Sequence, residues 1–148
     1  RAGTDGGIAF LLLLPAVGFL PPDDPRIQGT IEAIEKRLVV DGLVLRYDTL
    51  QSEDGLPPGE GAFLACSFWL ADAYVLLGRL GKAKALYERL AALVNDLGLL
   101  SEEYDVSLRR FTGNFPQAFS HVALVNAIFN VTRPENPAEQ RAQKNPGP

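Results

Sequence analysis

Two kinds of helical segment alternate along this chain, and the alternation restricts the folds open to it more than any single motif does. Segments at about 8–20, 61–77 and 116–129 are apolar on nearly every face, the pattern of helices buried all round. Segments at about 24–38 and 81–95 are one-sided. In the first of these, Asp24 and Pro25 read as an N-cap and a first-turn proline, and Ile27, Ile31, Ile34 and Leu38 form one stripe with Glu32, Glu35, Lys36 and Arg37 left for water. In the second, Lys82, Lys84, Glu88 and Arg89 are solvated, and Gly98 lies just past the end. The connections alternate as well: 21–23 and 79–80 are short, whereas 40–60 and 96–115 are about twenty residues each. If neighbours joined by short connections are antiparallel, both long loops emerge at the same end, and loops of that length in a compact domain are usually functional. The simplest geometry is an all-α, partial toroid of about five helices alternating between an inner and an outer ring, with a site at one mouth.

Composition narrows the function classes. The chain has 148 residues, 47% hydrophobic and 22% charged, which suits one globular domain. A net charge of −4 offers no basic surface for phosphates, so nucleic acid is not an expected partner. The single cysteine, Cys66, excludes an intrachain disulfide and, with no signal peptide, points to a cytoplasmic location. The apolar stretch 8–20 is shorter than the roughly 20 residues of a membrane span and is interrupted by Pro15, and it has neither a basic leader beyond Arg1 nor a small-residue cleavage site, so no membrane partner is expected. There is no methionine, which suggests a processed product or a fragment. Residues 132–148, rich in Pro, Asn, Gln and Glu without apolar period, read as a disordered tail.

Chemistry-bearing residues concentrate in the two long loops. Ser101-Glu102-Glu103-Tyr104-Asp105 places three carboxylates and a tyrosine between apolar segments, with Asn114-Phe115-Pro116-Gln117-Ala118-Phe119-Ser120-His121 following. Adjacent residues in an extended loop point in opposite directions, so Glu102 and Glu103 cannot both face one ligand. From composition alone the cluster reads first as a solvated acidic loop. Arg46-Tyr47 follows the apolar run Leu43-Val44-Leu45, and Glu60 and Phe63 flank the start of the third segment, within Gly59-Glu60-Gly61-Ala62-Phe63-Leu64-Ala65-Cys66-Ser67-Phe68-Trp69. An arginine fork suits paired hydroxyls, although Arg46 by itself reads as a surface charge and Phe63 as core.

Together the motifs at 59–69, 99–105 and 114–121, in that order along the chain, resemble the C-terminal part of the bacterial glucoamylase-like enzymes of glycoside hydrolase family 15, a resemblance that runs over about residues 11–129. The resemblance implies an (α/α)6 barrel, of which 1–131 would be the C-terminal portion, and an inverting glycosidase releasing glucose from the non-reducing ends of α-glucans. Such chemistry uses one carboxyl to protonate the leaving oxygen and another to activate water. By resemblance Glu102 is the general base, and Arg46, Tyr47, Glu60, Phe63 and Glu103 are substrate-binding positions. Glu60 reads equally as a complement to the helix N-terminus. The family's acid lies in a Trp-Glu motif, which this chain lacks: Trp69 is followed by leucine. The isolated chain is therefore expected to be inactive, and to need the remainder of the barrel or to self-associate. An α,α-trehalase is the alternative within the family, since trehalose presents the same glucose, so the expected substrate is an α-glucoside or trehalose.

No cofactor is implied. Metal ligands are not clustered in the sequence, and Cys66-Ser67 lacks a nucleophile–base spacing. Asn114 reads first as a helix cap and second as a neighbour of the general base, and His121 as a structural histidine. From another class, Trp69, Ala71, Tyr74, Leu77-Gly78-Arg79, Ala83 and Tyr87 resemble one tetratricopeptide hairpin, a non-catalytic interaction module, but advancing about 34 residues reaches Glu102 with no second copy.

Overall fold

The computed structural model describes residues 8–47 and 61–133. Among them are five α-helices, α1 (Leu13–Ala16), α2 (Pro25–Leu38), α3 (Leu64–Leu76), α4 (Leu80–Ala91) and α5 (Ala118–Thr132), with five short strands, β1 (Val39–Val40), β2 (Leu43–Val44), β3 (Ala62–Phe63), β4 (Glu103–Asp105) and β5 (Arg110–Thr112). The chain is mostly helical, as the alternating periodicity predicts, and α3 is the axis of the core. Every one of its 13 residues is buried, Phe68 and Leu70 among the largest, because α1, α4 and α5 all pack against it.

Helix α2 follows the sequence expectation closely. Asp24 accepts a hydrogen bond from the Arg26 amide at 2.8 Å, Pro25 occupies the first turn, and Ile27, Ile31, Ile34 and Leu38 are buried. Its solvent side carries Glu35, which joins α2 to α3 and α4. The Tyr74 hydroxyl and Lys82 Nζ both donate to Glu35 Oε1, Lys82 at 2.9 Å, and Arg79 pairs with Glu35 at 3.5 Å and Glu32 at 3.4 Å.

Burial alone would raise the Glu35 carboxyl, but the bonds from Tyr74 and Lys82 and the nearby cations outweigh it and hold it below the ordinary 4.5. A carboxylate depressed on folding stabilises the native state above its unfolded value, and that stabilisation is lost as pH falls through the folded value. Glu35→Gln should therefore flatten the Tm-against-pH curve below about pH 4.5 while lowering Tm at pH 7. Parallel curves for the two proteins would contradict this role.

Four elements differ from the sequence expectation. Instead of one buried helix, 8–20 forms a 3-10 turn (Ala9–Leu12) and the single-turn α1, and leaves Phe10, Leu11, Val17 and Phe19 exposed. Gly18, at φ 71°, closes α1 with its amide on the Pro15 carbonyl. Helix α4 stops at Ala91, short of Asn95, because the Asn95 side chain accepts from the Leu97 and Leu99 amides and builds a turn. Helix α5 starts at Ala118, capped by Gln117 rather than Asn114. It is also not buried all round: Phe119, Val122 and Val125 are 44%, 56% and 49% exposed. The helix continues to Thr132, so the boundary placed after 131 falls inside it; residues 134–148 of the expected tail lie outside the described residues.

The long connections contain strands. The turn Asp41-Gly42, both at positive φ (46° and 73°), closes the antiparallel β1–β2 hairpin. Strands β3, β4 and β5 form an antiparallel sheet in that order, pairing Phe63 with Glu103 and Glu103 with Thr112. This sheet ties the start of α3 to the acidic loop.

Candidate active site

The sheet brings the loop residues to the N-terminal end of α3. The Ser67 hydroxyl on the first turns of α3 accepts the Val44 amide at 2.9 Å, fixing β2 against the helix two residues before Arg46. From there the Arg46 guanidinium lies 4.9 Å from the Tyr47 ring centroid and 5.7 Å from that of Phe63, with its Nη2 donating to the Tyr47 hydroxyl at 3.3 Å. Phe63 in turn meets Phe119 edge-on at 6.4 Å. Arg46 and the acidic strand are therefore at one end of the helices, as the loop lengths predict.

Glu102 is held through its backbone from several directions. Its carbonyl accepts the Leu64 amide at 3.0 Å, and its amide donates to the Asn114 carbonyl at 2.9 Å. The residues before it are pinned by the first turns of α5: Ser120 Oγ donates to the Ser101 carbonyl at 2.7 Å, and the Gln117 amide donates to the Leu100 carbonyl at 2.9 Å. His121 belongs to the same anchorage. The Leu100 amide donates to its Nε2 at 3.2 Å, so Nδ1 carries the proton given to the Gln117 carbonyl at 2.7 Å. This is a structural histidine.

The neighbouring carboxylates have separate partners. Glu102 Oε2 accepts from Asn114 Nδ2 at 2.9 Å and from the Asn114 amide at 3.2 Å. Glu103 Oε2 accepts from the Gly61 amide at 3.1 Å, at the edge where β3 begins. Asp105 is committed to the β4–β5 turn, where the Ser107 hydroxyl, then the Leu108 amide, hold its carboxyl below the ordinary carboxylate value. The structure thus brings together Glu102, Glu103, Arg46, Tyr47 and Phe63; Glu60 lies outside the described residues.

Two close approaches require glycine beside the acidic strand. A Cβ on Gly61 would sit 2.9 Å from the Tyr104 carbonyl, and one on Gly113, where φ is +70°, would sit 3.0 Å from Glu102 Cβ and Oε2. Gly113 was not singled out from the sequence. Its signal was the Gly-Asn pair itself, a turn dipeptide directly opposite the acidic run.

Burial pushes the Cys66 thiol up to about 12, which removes it as a nucleophile at neutral pH. Among the described residues no three His, Cys, Asp or Glu side chains gather to hold a metal ion, and no helix is long and apolar enough to cross a membrane. The α3–α4 hairpin that resembled a tetratricopeptide unit is flanked by α5 and the three-stranded sheet.

Comparison with known proteins covers the same stretch of chain. The chain is 47% identical over 146 residues to a trehalase of Mycobacterium tuberculosis, covering 99% of this chain and 22% of the relative. It is 48% identical over 139 residues to a trehalase of Mycolicibacterium smegmatis, covering 94% and 21%, and 45% identical over 118 residues to a trehalase of Thermoplasma volcanium, covering 79% and 18%. The chain thus spans about a fifth of the length of these relatives. No solved structure matches it. The model of the glycosyl hydrolases family 15 matches residues 2–129, a span that includes α1 to α4, the whole acidic sheet and α5 up to Phe129, and the chain belongs to that family.

Proposed function

We propose that this chain supplies the general-base side of the active site of an inverting α-glucosidase whose substrate is α,α-trehalose. The observation that carries the reading is Glu102: its backbone is anchored to α3, α5 and Asn114, and its carboxylate stands at the helix end that also presents Arg46, Tyr47 and Phe63. In this role the carboxylate takes a proton from water as the water oxygen bonds to the anomeric carbon. The glycosidic bond breaks on the opposite face, and an acid carried by the remainder of the barrel protonates the leaving oxygen. Arg46 and its aromatic neighbours hold the sugar hydroxyls and ring face, and the family resemblance adds Glu60 and Glu103 as further substrate-binding positions.

The motifs by themselves resemble the glucoamylase-like enzymes of the family. The names of the relatives, all trehalases, favour trehalose over α-glucan ends. The test is proton NMR of fresh reactions by the full-length protein that carries this segment. Trehalose should yield equal α- and β-glucose at early times, the β anomer arising from attack by water. Formation of the α anomer alone would exclude inversion, and glucose release from maltodextrin but not trehalose would return the assignment to a glucoamylase.

A further inference from the structure

Asn114 meets Glu102 at three points: the Glu102 amide donates to its carbonyl at 2.9 Å, its own amide donates to Oε2 at 3.2 Å, and its Nδ2 donates to the same Oε2 at 2.9 Å. Gly113, just before it, adopts φ +70° and lies so close beneath Glu102 that a Cβ there would come within 3.0 Å of the carboxylate. Cap duty for α5 falls to Gln117 instead, so the Asn114 side chain is not needed by the helix.

A carboxylate has two oxygens with about four acceptor positions. Both Asn114 donors converge on Oε2, which fixes the rotation of the carboxylate about its terminal torsion and turns Oε1 to a defined direction. That torsion is otherwise broad, since it joins an sp3 to an sp2 carbon. A general base must present one lone pair to the proton of a water held within about 3 Å, and misplacement by about 1 Å costs roughly 10²-fold in rate.

We infer that Asn114 is the positioning residue of Glu102: by holding Oε2 it aims Oε1 at the attacking water. The inference rests on the reading of Glu102 as the base, and the experiment separates the two. In the full-length protein, Glu102→Gln, Asn114→Ala and Asn114→Asp are compared by kcat, KM and Tm. Asn114→Ala should lower kcat by about 10–100-fold with KM within about threefold of wild type. Asn114→Asp, of nearly the same shape, removes the amide donor and sets a like charge against Glu102, so its kcat should fall below that of the alanine variant. A residue acting only in the fold would show the reverse order, since the isosteric variant disturbs packing least.

Asn114→Ala and Asn114→Asp both retaining kcat within threefold, while Glu102→Gln is inactive, would overturn the inference and leave the base assignment standing. Full activity in Glu102→Gln would overturn the base assignment itself. Should the alanine variant lose more than a few degrees in Tm, the aspartate variant decides, and a crystal structure showing Glu102 Oε2 still at the backbone position seen here would count against a role for Nδ2.

Discussion

Glu102→Gln in the full-length protein is expected to lower kcat by ~10²–10⁴-fold while leaving the binding of sugar nearly unchanged, because general-base assistance is worth about that much. Glutamine keeps the volume and the acceptor for the Asn114 donors, which sit at 2.9 and 3.2 Å, so the anchorage survives while the ability to take a proton is lost. Glu103→Gln is expected to do much less. Its side chain accepts the Gly61 amide at 3.1 Å, a tie that the amide oxygen of glutamine can still make. Single-turnover and steady-state kinetics with trehalose give the comparison directly. Equal losses from the two variants would move the base away from Glu102, and no loss from Glu102→Gln would remove it.

The 148-residue chain by itself is expected to release no glucose from trehalose, maltose or maltodextrin. Inversion needs an acid and a base roughly 6.5–9.5 Å apart with water between. Among the described residues near Glu102, the other acidic loop side chains are engaged: Glu103 with the Gly61 amide and Asp105 with Ser107 and Leu108. The exposed apolar side of α5, with Phe119, Val122, Val125, Ile128 and Phe129, also gives the isolated chain a surface prone to association. Coupled-enzyme detection of glucose at high protein concentration, with light scattering on the same sample, checks both statements. Activity abolished by Glu102→Gln would place an acid within these residues or on a second copy.

How far the fold was legible depended on whether its cause was local. The stripe Ile27, Ile31, Ile34 and Leu38 and the Asp24-Pro25 start follow from helix period and capping, both properties of a few adjacent residues. The β1–β2 hairpin was equally legible, because Asp41-Gly42 between apolar pairs is a strong turn signal, yet reading the connection as one long loop passed over it. The segment 8–20 misled for the opposite reason: its apolar content suggested burial, while Pro15 and Gly18 limit it to a turn of helix.

The candidate site divides in the same way. The resemblance carried by the motifs and their order along the chain, and not residue type by itself, singles out Glu102, Glu103, Arg46, Tyr47 and Phe63: without it Arg46 reads as a surface charge, Phe63 as core and the carboxylates as a solvated loop. Asn114 reads first as a cap and second as a neighbour of the general base; the pairing of Glu103 with Thr112, followed by the turn at Gly113, is what delivers its donors onto Glu102. Likewise, which face of α5 is covered is set by α3, with Asn130 donating to the buried Asp72 at 2.9 Å, and not by α5's own nearly uniform apolarity. Period, caps and turn residues were determined by the sequence alone, since their energies arise within one or two turns of chain. Strand register, the particular contacts made where the two loops meet and the exposure of α5 were decided by the tertiary structure, because each depends on contacts between segments tens of residues apart whose closure no local pattern encodes.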